Sequence, residues 1–183
     1  MKIQKITSLL KKSKRIYLAY KDGKQWIGDG AAFYAIHNLP ELDEDIILAM
    51  LDVPEDKRSS YTVETIDWLP FFDEDYSCEP AEQVGDTLYT HYGRTLQAVS
   101  CGDGVVRMID VKYLKPIEID FNGYGVAGVC KDGSGDPLIV IRDGLFTLAI
   151  ITPIRLSSGF IEDITDLALK LKIREVASDE STT

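Results

Sequence analysis

The sequence predicts an α+β domain made of two similar units, each a helical segment followed by antiparallel strands, with one extra helix at the C-terminus. Three observations predict it. Residues 3–14 place Ile3, Ile6 and Leu10 at helical spacing. Apolar runs broken by glycine turns follow at 16–36 and recur at 105–151, each set after or around a helical stretch. After Ser157-Ser158-Gly159, Phe160, Ile164, Leu167 and Leu171 repeat at i, i+4, i+7 and i+11, which is one apolar helix face. The expected organisation is one domain over 1–156, an amphipathic helix over 157–176 and a disordered polar tail over 177–183.

The elements follow in order. In the 3–14 helix, Lys5 and Lys12 lie opposite the apolar stripe, Lys2 and Lys11 flank it, and the late lysines Lys11, Lys12 and Lys14 suit the negative end of the helix dipole. Residues 16–21 read as a strand, Asp22-Gly23 as a hairpin turn, and 24–27 as the returning strand. Gly28-Asp29-Gly30 breaks the run before a third strand at 31–36. It is not a nucleotide-binding fingerprint, because the third glycine and the helix after it are missing.

Residues 40–51 read as a short helix with Ile46, Ile47, Met50 and Leu51 on its apolar side. Glu41, Asp43, Glu44 and Asp45 crowd its start, where the dipole favours them. Residues 52–86 have no clear period and read as a long acidic loop. Residues 87–92 and 94–101 form a hairpin about Gly93, and a second turn at 102–104 leads into a strand at 105–110. A short K-Y-L helical segment, a hairpin about 131–136 and a closing strand at 146–151 complete the domain.

The chain of 183 residues is long enough to bury about 70% of its unfolded surface, so its core needs no disulfide or metal. Cys78, Cys101 and Cys130 are odd in number and far apart, which argues against a disulfide framework or zinc site and suits a reducing cytoplasm. No apolar run approaches the ~20 residues of a membrane span, and no secretory signal follows the basic N-terminus. The expectation is a cytoplasmic protein without cofactor, metal or membrane.

Charge is the most informative part of the composition. The net charge is −10, which disfavours generic nucleic-acid binding. Yet residues 1–21 carry Lys2, Lys5, Lys11, Lys12, Lys14, Arg15 and Lys21 without one acid, whereas 41–86 carry fifteen acids against Lys57 and Arg58. A concentrated basic segment can form a local patch for phosphates on an acidic protein. The plainer and more frequent arrangement is a solvated basic helix balanced by an acidic loop.

Catalytic signals are poor. His37 ends a strand and His91 sits in a tyrosine-rich hairpin; each fits a packed or surface imidazole better than a base. Gly133-Ser134-Gly135 lies in a hairpin turn and not at a strand-to-helix elbow. The acidic run at 73–75 lacks the glycine and terminal glutamate of a calcium loop. The reading is therefore non-enzymatic.

One stretch points to a family. Phe146-Thr147-Leu148-Ala149-Ile150-Ile151-Thr152-Pro153-Ile154-Arg155-Leu156 resembles the closing strand of bacterial DNA polymerase sliding clamps (β clamps), which ends in an M-P-x-R-L-type sequence. Upstream, Val111-Lys112-Tyr113-Leu114 resembles the K-Y-L helix start of the same clamp domain, and 137–142 its penultimate strand. The match covers roughly residues 105–156, with order and spacing agreeing. It implies a domain of two similar α/β units, with helices lining the interior of a ring and basic side chains facing duplex DNA. Lys2, Lys5, Lys11, Lys12, Lys14 and Arg15 are then the expected DNA-facing residues. Thr152, Pro153, Ile154, Arg155 and Leu156 are expected to border a groove for a partner peptide.

The departures from the family are specific. A clamp ring has six such domains and this chain has room for one, so a ring would need a homo-oligomer. Pro116 cuts the second helix short and weakens a DNA-lining role for Lys112 and Lys115. The chain runs 27 residues past Leu156, which places a 160–173 helix to cover that groove or replace a partner peptide. The acidic 41–86 segment has no clamp counterpart. The resulting expectation is a DNA- or replication-associated protein resembling one clamp domain. The competing expectation is a protein-interaction module on the same fold, its acidic surface mimicking DNA.

Overall fold

A computed structural model describes residues 2–21, 23–37, 39–67, 79–91, 93–101, 105–117, 125–131, 137–143 and 146–154, together with 159, 162, 166 and 170. The element order is α1 (Ile3–Ser13), β1 (Arg15–Lys21), β2 (Lys24–Gly28), β3 (Ala32–Ile36), α2 (Glu44–Met50), a 3-10 helix (Glu55–Ser60), β4 (Thr62–Ile66), β5 (Glu79–His91), β6 (Arg94–Cys101), β7 (Val106–Asp110), a 3-10 turn (Val111–Tyr113), β8 (Gly125–Lys131), β9 (Pro137–Asp143) and β10 (Phe146–Ile151). The protein is a mixed α+β fold, as its pattern predicts.

Among the described residues, ten strands join one sheet in the order β4-β1-β2-β3-β10-β9-β8-β5-β6-β7. Neighbours are antiparallel except β1 and β4. Next to the centre β3 pairs with β10, with Tyr34 opposite Ala149 and Ala32 opposite Ile151. Beyond the end of β10, Ile154 N–H donates to the Met108 carbonyl at 2.8 Å, so β7 at one end of the sheet meets the chain leaving its middle.

The central strands are apolar on both faces, and alternation sorts their side chains. On one face Ile16, Leu18, Ile27, Tyr34, Ile139, Ile141 and Ile151 pack with Ile6 and Leu10 of α1 and Ile47 and Leu48 of α2. On the other, Ala19, Trp26, Phe33, Ala35, Val140 and Ile150 form a second buried cluster. A third cluster joins Val84, Leu96, Ala98 and Met108, with Ile154 against it. Gly28 is required by close approach: a Cβ there would sit 2.1 Å from the Ala32 carbonyl oxygen.

Several expectations need correction. The 52–86 stretch is not a loop throughout: it contains the 3-10 helix, β4 and the start of β5. Its strand was hidden because β4 pairs in parallel with β1, with no hairpin turn to announce it, and three of its five side chains face water. The 40–51 helix starts only at Glu44. The Asp43 carboxylate accepts from Ile46 N–H at 2.8 Å and caps it, while the Leu42 backbone is held by Gln25 of β2. The K-Y-L helix is a single 3-10 turn. In the C-terminal segment, residues 159, 162, 166 and 170 are helical and exposed. Phe160, Ile164, Leu167 and Leu171, and the tail at 177–183, lie outside the described residues.

Gly28→Ala should destabilise the protein by about 2–3 kcal/mol, because backbone rather than a flexible side chain blocks the added methyl. Urea unfolding measures this, and an unchanged midpoint would show that the β2–β3 connection has room to relax.

Candidate nucleic-acid interface

Helix α1 forms because its apolar residues fall on one stripe, and it ends where Lys14 adopts a left-handed conformation (φ 60°) whose N–H donates to the Leu10 carbonyl. Ile6 and Leu10 are buried, and Ile3 and Leu9 pack beside them. This forces Gln4, Lys5, Ser8, Lys11 and Lys12 outward as one exposed face. Lys5 and Lys12 are seven residues apart, about 10 Å along the axis. The Thr7 and Ser8 hydroxyls donate to the Gln4 carbonyl, at 3.0 and 2.7 Å, and so turn back onto the helix. No acid interrupts the face.

All six sequence-predicted cations, Lys2, Lys5, Lys11, Lys12, Lys14 and Arg15, are exposed. Lys5, Lys11, Lys12, Lys14 and Arg15 make no ion pair among the described residues. Lys14 and Arg15 continue the basic run into β1, where the Lys14 carbonyl accepts from Thr62 N–H at 2.9 Å. Lys2 is tied differently. Its backbone N–H donates to the Pro116 carbonyl at 2.7 Å, which sets the start of α1 beside the turn after β7.

That contact brings in two residues that the sequence left doubtful. Lys112 and Lys115 are exposed on the turn that Pro116 shortens, next to the N-terminus of α1. Lys112 Nζ lies 3.5 Å from Asp110 Oδ2 and 4.5 Å from the centroid of the Tyr113 ring, so part of its charge is engaged. The Asp110 carboxylate also accepts from Lys112 N–H at 3.0 Å and caps the turn.

A partly buried chain of hydrogen bonds holds this turn in place. Tyr34 of β3 donates its hydroxyl to the Tyr113 carbonyl at 2.9 Å, and Tyr113 donates its own hydroxyl to Asp29 Oδ2 at 2.9 Å. Asp29 Oδ1 accepts from the Ala31 and Ala32 N–H groups, at 3.0 and 3.2 Å. Sequence reasoning missed this set entirely. Its partners lie 79 and 84 residues apart, and no local signal joins them.

Of the residues expected at a peptide groove, the structure describes Thr152, Pro153 and Ile154. Thr152 N–H donates to the Ala31 carbonyl at 2.9 Å, Pro153 is buried, and Ile154 bridges to Met108. Three successive residues thus take part in closing the fold, and Arg155 and Leu156 lie outside the described residues. His37 stands edge-on to Phe146, and the side chain of His91 lies outside the described residues. Among the described residues no group of three metal-ligating side chains gathers, and no helix is long and apolar enough to cross a membrane.

The tyrosine chain carries a pH signature. Burial, and then the Asp29 charge, push both Tyr34 and Tyr113 well above the ordinary value of 10.0. Above that value the unfolded chain releases protons that the folded chain retains, so stability is full below about pH 10 and falls as pH rises. The slope is about 1.4 kcal/mol per pH unit for each tyrosine. Tyr113→Phe should flatten the alkaline limb and cost about 1–2 kcal/mol at neutral pH, since it leaves Asp29 Oδ2 without its donor. Urea melts from neutral to alkaline pH check both effects; equal slopes for the two proteins would contradict the assignment.

Comparisons of the chain with protein-family models, with curated proteins and with solved structures give no match.

Proposed function

We propose that this chain is a non-enzymatic module that contacts duplex DNA through its helical layer, built like one domain of a sliding clamp and working beside replication proteins. The observation that carries the reading is the α1 face. Lys5, Lys11 and Lys12 project from it without an intervening acid, and the Lys2–Pro116 bond sets Lys112 and Lys115 next to its start. The strand order supports it. β1-β2-β3 after α1 and β8-β9-β10 after the 3-10 turn run outward in mirrored order from the β3–β10 pair. That is the arrangement expected of two related units sharing one sheet.

The net charge of −10 then serves orientation. Phosphates are repelled from the acidic surface and attracted only to the lysine face, whose cations release counterions when DNA binds. A single chain supplies one domain, so encirclement of DNA would take several copies. β4 ends the sheet and is the edge on which a second copy could add.

Fluorescence anisotropy with a short labelled duplex, across a series of salt concentrations, tests the reading. Binding should weaken steeply with salt, and Lys5→Glu combined with Lys12→Glu should lower the log–log slope by about 2. Lys24→Glu, at the β2 position that pairs with Lys21 at the end of β1 away from Arg15, should leave binding nearly unchanged. Absence of binding at low salt, or equal binding by the double variant, would overturn the proposal.

A further inference from the structure

The lysine face does not stop at α1. The 3-10 helix (Glu55–Ser60) lies in the same layer, because Val53 before it and Tyr61 after it both pack with the cluster that buries Ile6 and Leu10. Its end is fastened to the end of α1 at two points. The Tyr61 hydroxyl donates to the Lys11 carbonyl at 3.3 Å, and Thr62 N–H donates to the Lys14 carbonyl at 2.9 Å. From there β1 and β4 run in parallel, with Arg15 beside Thr62. Two segments 50 residues apart in the chain thus finish side by side.

Both endings are basic. Lys11 and Lys12 occupy the last turn of α1 and Lys14 follows it, while Lys57 and Arg58 occupy the last turn of the 3-10 helix. Lys57 stands four residues before Tyr61, about 8 Å along a 3-10 helix, a gap that two extended lysine side chains span. Lys11, Lys12, Lys14 and Lys57 are exposed and make no ion pair among the described residues. The two arginines nearby are withheld. Arg58 pairs with Asp45 at 3.3 Å. Arg15 precedes Ile16, which is buried on the α1 side, so alternation turns it to the opposite face, where Glu64 also lies. Glu55 and Asp56 fall in the first turn of the 3-10 helix, on the side of Lys57 away from Tyr61. Lysine meets phosphate as a point charge, whereas the fork of arginine and the amides of asparagine and glutamine read base edges. On α1 the one such group is Gln4, about two turns back from this end.

We propose that the DNA-binding surface continues from α1 onto the 3-10 helix, where Lys57 joins Lys11, Lys12 and Lys14 in holding the phosphate backbone of duplex DNA whatever its sequence. This rests on the DNA reading above and narrows it. The duplex crosses the shared end of the two helices and is held by charge rather than by base contacts. Affinity then varies steeply with salt and little with sequence. Glu55 and Asp56 stand at the margin of the contact and limit its strength.

The test is fluorescence anisotropy of the intact chain with two labelled duplexes of equal length, one rich in A·T pairs and one in G·C pairs, over a series of salt concentrations. The two duplexes should bind alike. Lys57→Glu should weaken both severalfold and lower the log–log salt slope by about 1. Glu55→Lys, at an exposed position of the same short helix, should strengthen both. Unchanged binding by Lys57→Glu and Glu55→Lys, while Lys5→Glu combined with Lys12→Glu weakens it, would overturn this inference and leave the DNA reading standing. A preference of about tenfold or more for one duplex, the scale of a base-specific contact, would also overturn it. Absence of binding to either duplex at low salt would overturn the DNA reading and this inference with it.

Discussion

The fold depends on one partly buried hydrogen-bonded chain, Tyr34 to Tyr113 to Asp29. It ties the third strand of the first half to the turn that begins the second half, and it pins the β2–β3 connection through the Ala31 and Ala32 amides. A hydroxyl donated to a carboxylate is stronger than a neutral pair, and burial raises the consequence of leaving either end unmade. The apolar core supplies the larger stabilisation but no direction. The tyrosines select how the turn after β7 sits on the sheet. With that turn fixed, the Pro116 carbonyl is presented to Lys2, and the two helical pieces share one surface.

Helix position then follows from packing and charge from what packing leaves out. Ile6 and Leu10 must be buried, so Lys5, Lys11 and Lys12 must face outward. The sheet beneath is apolar on both faces, which accounts for the long apolar runs of β9 and β10. The 3-10 helix lies beside the end of α1 and is tied to α2: the Tyr61 hydroxyl donates to the Lys11 carbonyl at 3.3 Å, and Arg58 pairs with Asp45 at 3.3 Å.

The sequence made α1, the first hairpin, β3 and the strands from β9 onward legible, because each has a period or a glycine turn of its own. It hid β4, whose partner β1 lies beside it in parallel and whose exposed side chains blur the alternation. It overstated the helix at 40–51, because the Leu42 backbone is bonded by Gln25 of β2 and Asp43 caps the helix at Glu44. The six basic residues were visible as a charge run, but Lys112 and Lys115 were not visible as their neighbours. Only the Lys2–Pro116 bond, spanning most of the chain, brings them together.

Hydrogen–deuterium exchange on the intact chain, with and without a short DNA duplex at low salt, tests most directly whether the helical layer is the working surface. The account predicts added protection over α1 and over the turn at 111–117, with β2 and the acidic segment 41–45 unchanged. Protection spread over that acidic segment, or no change in α1 at saturating duplex, would contradict it.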